Sequence, residues 1–461
     1  MKFNCFVLVA VIALFSFGGS QKCRTLRVRK ELRSLSNNEW YIYRNTLSKM
    51  HSAGWFDWFA RLHSSIYNKI HGTTEFLPWH RYFITQWENV ALTFDRRYVQ
   101  PYWDSASDFV DVAGSSVLGK NRMGGNGRAS DNCVTNGLQF RWINKYPDNK
   151  CLRRIFNDGD KIKPFFSPES VTSDIQTSAN FTDFSKRLEI GMHNILHNSI
   201  GGDMSEHHSA VDALFMLHHA NVDRIWWKYQ NYKEVNMMDF DESLDKKITY
   251  FDVKVGDIMR VGQGGLCYMY EERRNSQRSY KKSSFNPNSN EISENFGEND
   301  RLSDDPSDIS TILKTSEMSL ATGASRDILK KYFPDLYAGS ANIHSIDLPN
   351  VISSRALEYA KNVKSANADM NDSNQNVTIS PVNNSIPDTL IENSKLNTAS
   401  PGKIGVSIPI NQRPKMPYPA RMPDDFLKKF KVDINFYNNF YKEKLDLIDA
   451  LNEVGYVSPY I

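Results

Sequence analysis

A mainly α fold is what this 461-residue sequence predicts, and three observations carry the expectation. Apolar residues recur at helical spacing in five stretches between residues 40 and 226. The first of these opens on a capping-box pattern, a signature of a helix N-terminus. Ten of the 11 histidines fall between His51 and His219, several of them on those apolar stripes rather than on solvated faces.

In chain order, Ser36 followed by Glu39 opens a helix with the stripe Trp40, Tyr43, Leu47 and Met50. A second stripe is Phe56, Phe59, His63, Ile66 and Ile70, and a third begins after Pro78 with His80, Ile84, Trp87, Ala91 and Phe94. Residues 107–180 are rich in Gly, Asn, Asp and Pro with little periodicity, which predicts long ordered loops. Helix returns with Phe184, Leu188, Met192 and Leu196, then with Val211, Phe215, His219, Val222 and Trp226. Residues 274–310 and 361–404 are polar, poor in aromatics and read as linker. Short amphipathic helices are expected at 327–337 and 353–363. From about residue 405 aromatics return (Phe426, Phe430, Phe436, Phe440, Tyr441), and this stretch is expected to dock on the core.

Hydrophobic residues at 40% and charged residues at 24% describe a globular chain able to bury a sizeable core. A net charge of +3 argues against a dedicated nucleic-acid binder, which would carry a clustered basic excess. No apolar run reaches the ~20 residues of a membrane span, so a multi-pass membrane protein is excluded.

Residues 1–20 read as a secretory signal: Lys2, an apolar run from Cys5 to Phe17 broken only by Ser16, then Gly18, Gly19 and Ser20. Its removal leaves Cys23, Cys133, Cys151 and Cys267, which in an oxidising compartment make two disulfides with three possible pairings. The favoured pairing is Cys133 with Cys151, closing a Gly- and Asn-rich excursion, and Cys23 with Cys267, tying the ends of a core. None of the four forms a C-x-x-C pair, so a thiolate metal site is not expected. Sequons at Asn180, Asn371, Asn376 and Asn383 fit a secreted glycoprotein. The organisation expected is therefore a signal at 1–20, a core at 21–273, a polar extension at 274–404 and a docked segment at 405–461.

The strongest local signal is the pair His193 and His197, four apart and so on one helical face. Zinc proteases use such a pair with Glu directly after the first His; here that position is Asn194. Further histidines follow at His218 and His219, and upstream His63, His71 and His80 form a second set. Two sets of three imidazoles suit copper better than magnesium or calcium.

These residues carry a family resemblance. Stretch 71–83 (HGTTEFLPWHRYF) resembles the first copper motif of tyrosinases and catechol oxidases, type-3 dicopper proteins. Stretches 193–202 (HNILHNSIGG) and 217–227 (LHHANVDRIWW) resemble the second. PYWD at 101–104, CYMY at 267–270 and GYVSPY at 455–460 match further landmarks, the last resembling the tail of secreted fungal members. The resemblance covers about residues 23–272 plus the tail.

It implies a four-helix bundle holding two copper ions. By position, His63, His71 and His80 would hold the first, and His193, His197 and His219 the second. His218 would sit beside the substrate, and His51 is the rival to His63 as first ligand. His207 and His208 read as loop histidines and His344 as structural or exposed.

The implied activity is ortho-hydroxylation of monophenols and oxidation of catechols to o-quinones with dioxygen, the metals carrying the redox step. In the family, an Asn after the first histidine of the second site and an upstream Glu serve monophenol deprotonation. Asn194 matches the first, and Glu189 is the candidate for the second, against a solvated helix charge. Asn198 is expected to line the entrance.

Three departures stand out. Lys69 occupies the place where fungal members often carry a cross-linked Cys. Ala213 follows Asp212 where Pro is usual, which would loosen the turn into the final helix. The C-terminal region is either a removable shield, making a proenzyme, or a tail packed on the back. The alternatives in function are a catechol oxidase without monophenolase activity, a haemocyanin-like dioxygen carrier, or a binding protein on a degenerate copper scaffold.

Overall fold

The computed structural model describes residue 23 and residues 25–271, 319–320, 323–338 and 410–461. The expected signal, the helix at 353–363, the linkers at 274–310 and 361–404, Asn371, Asn376, Asn383 and His344 lie outside the described residues.

Helix α1 (Asn37–Ser52) starts on the expected capping box, with the Ser36 side chain accepting the Glu39 N–H and Glu39 accepting that of Ser36. Its Tyr43, Leu47 and Met50 are buried. Gly54, at φ 84°, turns the chain through the left-handed region into α2 (Trp55–Ile70). Helix α3 (Phe76–Phe94) starts before Pro78 rather than after it. A proline in the first turn loses only an N–H that no helical carbonyl would have taken.

The stretch 107–180, expected as loop throughout, contains α4 (Pro168–Thr177), capped by Ser167 with Pro168 in its first turn. Its buried face carries Glu169, Ser170, Thr172, Ser173 and Gln176, so no apolar period announces it. Next come α5 (Phe181–Leu188), a π-helical turn (Glu189–His193) and α6 (Asn194–Ile200). Helix α7 (Ala213–Tyr232) is capped by Asp212, which accepts the Leu214 N–H. Both Asp212 carboxylate oxygens also take the buried Arg154 fork at 2.8 and 2.9 Å. The missing proline at 213 therefore does not loosen this turn: a buried ion pair and a cap hold it.

Strand β1 (Arg27–Arg29) pairs in parallel with β4 (Tyr268–Tyr270), and β2 (Ile143–Asn144) pairs with β3 (Lys150–Cys151). Both favoured disulfides are formed, Cys23–Cys267 beside the first pair of strands and Cys133–Cys151 beside the second.

Between α3 and α7 runs a buried charge network. Asp223 accepts from the Tyr268 and Tyr270 hydroxyls at 2.6 Å each and from Arg81 Nε, while Arg29 reaches Glu88 at 2.9 Å.

The helix expected at 327–337 is present as α8 (Arg326–Tyr332) and α9 (Pro334–Tyr337), with Leu329 and Phe333 in the core. Helices α10 (Asp424–Lys429) and α11 (Ile434–Glu453) complete the described chain. Lys444 on α11 is fully buried against Asp174 of α4, and Glu443 takes Arg187 of α5 at 3.0 Å. Phe440 lies against Gly191 of the π turn, where a Cβ would come within 2.8 Å of its ring. Among the described residues no helix is long and apolar enough to cross a membrane.

Candidate metal centre

Four helical segments bring the histidines together: α2 supplies His63 with His71 just past its end, α3 supplies His80, the π turn and α6 supply His193 and His197, and α7 supplies His218 and His219. Ring nitrogens of His63, His71 and His80 lie within 4.8 Å of one another, and so do those of His193, His197, His218 and His219. The two groups touch through His80 and His219, whose rings stack at 4.3 Å. His51 belongs to neither group: its ring stacks on Trp142 at 4.4 Å and its Nε2 meets the Ile143 carbonyl at 3.2 Å.

Hydrogen bonding fixes which nitrogen is free in five of the rings. Carbonyl oxygens only accept, so a ring nitrogen facing one must carry the proton. Nδ1 of His63 donates to the His207 carbonyl at 2.7 Å, that of His71 to Tyr67 at 3.2 Å, that of His80 to Phe76 at 2.8 Å and that of His197 to Met204 at 2.7 Å. Nδ1 of His193 donates to Asn194 Oδ1 at 2.9 Å. Each of these five rings therefore turns an unprotonated Nε2 inward.

Inside the first group, Nε2 of His63 and Nε2 of His80 face each other at 3.4 Å. Neither carries a proton, so two lone pairs oppose each other, an arrangement that a cation between them satisfies. Nε2 of His197 and of His219 stand at the same 3.4 Å in the second group, and Nε2 of His193 is buried without a hydrogen-bond partner.

Burial holds these imidazoles neutral, pushing His63 down to about 3 and His197 down to about 4. Burial, reinforced by neighbouring histidines, likewise drives His71, His80, His193 and His219 well below the ordinary range. Neutral imidazoles, most with fixed tautomers and free of thiolate and carboxylate, are the donor set that suits copper. The residues present fit such an ion in each group.

Glu189 is buried at the start of the π turn and is not a solvated helix charge. Both its carboxylate oxygens lie within 3.1 Å of the Gly72 N–H, next to His71. Desolvation raises its carboxyl to about 8 against the pull of that N–H. His218 stacks near-parallel to His193 at 5.5 Å. Asn198 is half-buried and is not among the residues lining the cavity over the histidines.

That cavity is lined by Tyr67, His71, His193, Asn194, Glu206 and, from the C-terminal segment, Phe426 and Phe430. Phe430 packs 5.5 Å from the Tyr67 ring and 5.6 Å from the His207 ring. Lys429 Nζ reaches Glu206 at 2.7 Å and the Ser205 carbonyl at 3.0 Å. Sequence reading missed Tyr67, Met204 and His207 at this site. A backbone carbonyl has no signature, although Tyr67 and Phe76 each stand four residues before the histidine they hold.

Fold and site together define a helical protein with two adjoining all-histidine groups, each able to hold a metal ion. Residues 47–232 match the common central domain of tyrosinase. A tyrosinase of Aspergillus flavus is 29% identical over 308 residues, spanning 57% of this chain and 86% of the relative. A tyrosinase of Streptomyces antibioticus is 29% identical over 229 residues, spanning 44% and 83%. A polyphenol oxidase structure from Thermothelomyces thermophila aligns at 21% identity with a TM-score of 0.40, covering 54% of this chain and 89% of that one. Residues 47–232 thus match the central domain of tyrosinase, and the chain is similar to tyrosinases over that part.

Proposed function

We propose that the protein is a secreted copper monooxygenase and oxidase that ortho-hydroxylates monophenols and oxidises catechols to o-quinones with dioxygen. The observation that carries this reading is the pair of buried histidine clusters, with Nε2 of His63 facing Nε2 of His80 and Nε2 of His197 facing Nε2 of His219, each at 3.4 Å. His63, His71 and His80 would hold one copper, and His193, His197 and His219 the other. Copper bound there supplies dioxygen activation and the electron transfer. His219 rather than His218 is the sixth ligand, supported by its opposition to His197 and its stack on His80. His218 is left beside the substrate. Secretion accords with two disulfides, which persist in oxidising compartments; the sequon Asn180 is exposed and would accept a glycan.

The chain's own groups handle the proton. Asn194 holds the His193 tautomer, and Glu189, anchored by the Gly72 N–H and made more basic by burial, would in its ionised form accept the proton of an incoming phenol. Glu189→Gln is expected to slow monophenol hydroxylation by roughly 10²-fold or more, while catechol oxidation falls far less. Oxygen uptake with a monophenol and with its matching catechol measures both. Equal losses on the two substrates would remove Glu189 from this role.

Residues 424–430 act as a cover in this reading, because Phe426 and Phe430 line the cavity over the histidines that a phenol would enter. Burying the Phe426 phenyl stabilises the closed state by ~1.5–3 kcal/mol, and the half-buried Phe430 adds less. Replacing both by alanine is expected to raise catechol turnover by roughly tenfold or more at low substrate, by enlarging the open population. An unchanged rate in the double variant, and after limited proteolysis of the full-length protein, would leave this segment as packing only.

A further inference from the structure

We propose that Tyr67 and His207 form a single positioning unit for the first copper, setting two of its three ligands at once. The inference rests on the reading in which His63, His71 and His80 hold that ion. The Tyr67 ring lies parallel to the His71 ring at 3.8 Å and 11°, and parallel to the His207 ring at 4.0 Å and 10°. Two rings cannot share one face of a phenol at those spacings, so Tyr67 is sandwiched between the two imidazoles.

Each outer member of the sandwich is tied to a ligand by more than stacking. Tyr67 accepts the His71 Nδ1–H on its own carbonyl at 3.2 Å, so one residue fixes both the plane and the tautomer of His71. His207 accepts the His63 Nδ1–H on its carbonyl at 2.7 Å. The Tyr67 ring, by holding the His207 ring, holds in place the loop carbonyl that orients His63. His80 needs no such help, since its Nδ1–H goes to Phe76 within its own helix at 2.8 Å.

Polar chemistry does not explain the two residues. His207 Nε2 is buried with no hydrogen-bond partner, and burial pushes the Tyr67 hydroxyl up and keeps it protonated. Their rings are what the site uses. Phe430 closes on the edge of the same sandwich, at 57° to Tyr67 and 66° to His207, so the C-terminal cover bears on the first ligand set as well as on the entrance.

The test is chelator titration of the copper-loaded, full-length protein, reading copper per chain and the electron paramagnetic resonance signal of any lone Cu(II). Tyr67→Leu and His207→Ala should each release one copper at roughly tenfold lower chelator than the wild type, the scale expected for ligand-orienting partners. The lone Cu(II) left behind should match that of His80→Ala, which keeps only the second ligand set. Tyr67→Phe and His207→Phe keep the rings and carbonyls and should restore the wild-type titration. If Tyr67→Leu and His207→Ala release copper as the wild type does, or lose both ions together, the positioning unit is overturned. A wild type that never takes up two coppers would instead overturn the dicopper reading, and the proposal with it.

Discussion

His80→Ala is expected to bind one copper per chain instead of two and to lose oxygen uptake with monophenol and catechol alike. The loss should exceed the roughly 100-fold that removing a ligand's outer partner can cost, because a ligand itself is gone. His80 stands at the junction of the clusters, opposing His63 at 3.4 Å on one side and stacking on His219 at 4.3 Å on the other. Its removal leaves His63 and His71 as an incomplete pair. Helix α3 should survive, since His80 is not an anchor of its capping and the flanking Trp79 and Phe83 stay buried. Copper analysis beside the far-ultraviolet circular dichroism spectrum checks both halves. Two coppers retained with normal turnover would exclude His80 as a ligand.

Asp223→Ala is expected to cost about 3–5 kcal/mol of stability, the scale for breaking a buried ion pair by removing one partner. Asp223 accepts from Arg81, Tyr268 and Tyr270 at once, with Arg29 Nη1 3.5 Å away, and all these groups are buried. Alanine would leave the Arg81 guanidinium with only neutral oxygens, those of Gln230, Ile258 and Met259. It would also strand the Tyr268 hydroxyl in the core and leave that of Tyr270 with Arg29 Nη1 alone. A unit of this size loses ~2–4 °C of melting temperature per kcal/mol, so a fall of roughly 6–20 °C is expected. Arg81 follows His80 directly and Asp223 lies one turn beyond His219, so the variant should also release copper more readily. A melting temperature within about 2 °C of the wild type would contradict this account of the network.

The histidine pattern was legible because ligands on core-facing stripes leave a periodic trace, as with His63 between Phe59 and Ile66. The π turn left a fainter one. Phe184, Leu188, Met192 and Leu196 repeat every four residues, which on an α-helix drifts about 40° per step. The wider turn at Glu189–His193 absorbs that drift and keeps all four inside. Helix α4 was not legible, because Ile175 is the one apolar residue on a buried face otherwise built from Glu169, Ser170, Thr172, Ser173 and Gln176. Docking of the aromatic C-terminal stretch could be read from its composition, but its partner surface could not. An apolar stripe says that Phe426 and Phe430 are covered, not that they cover the histidines. The sandwich of Tyr67 is likewise invisible in sequence, since His207 sits 140 residues away from it.

If the six buried histidines hold two coppers as proposed, the protein oxidises phenols with dioxygen. The most direct measurement is oxygen uptake by full-length, copper-loaded protein of known copper content, given a monophenol and then its catechol, before and after limited proteolysis. The account predicts two coppers per chain, uptake with both substrates, and a higher rate once residues 424–430 are released. Two coppers per chain with no uptake on either substrate in any state would contradict it and leave a dioxygen-binding protein in its place.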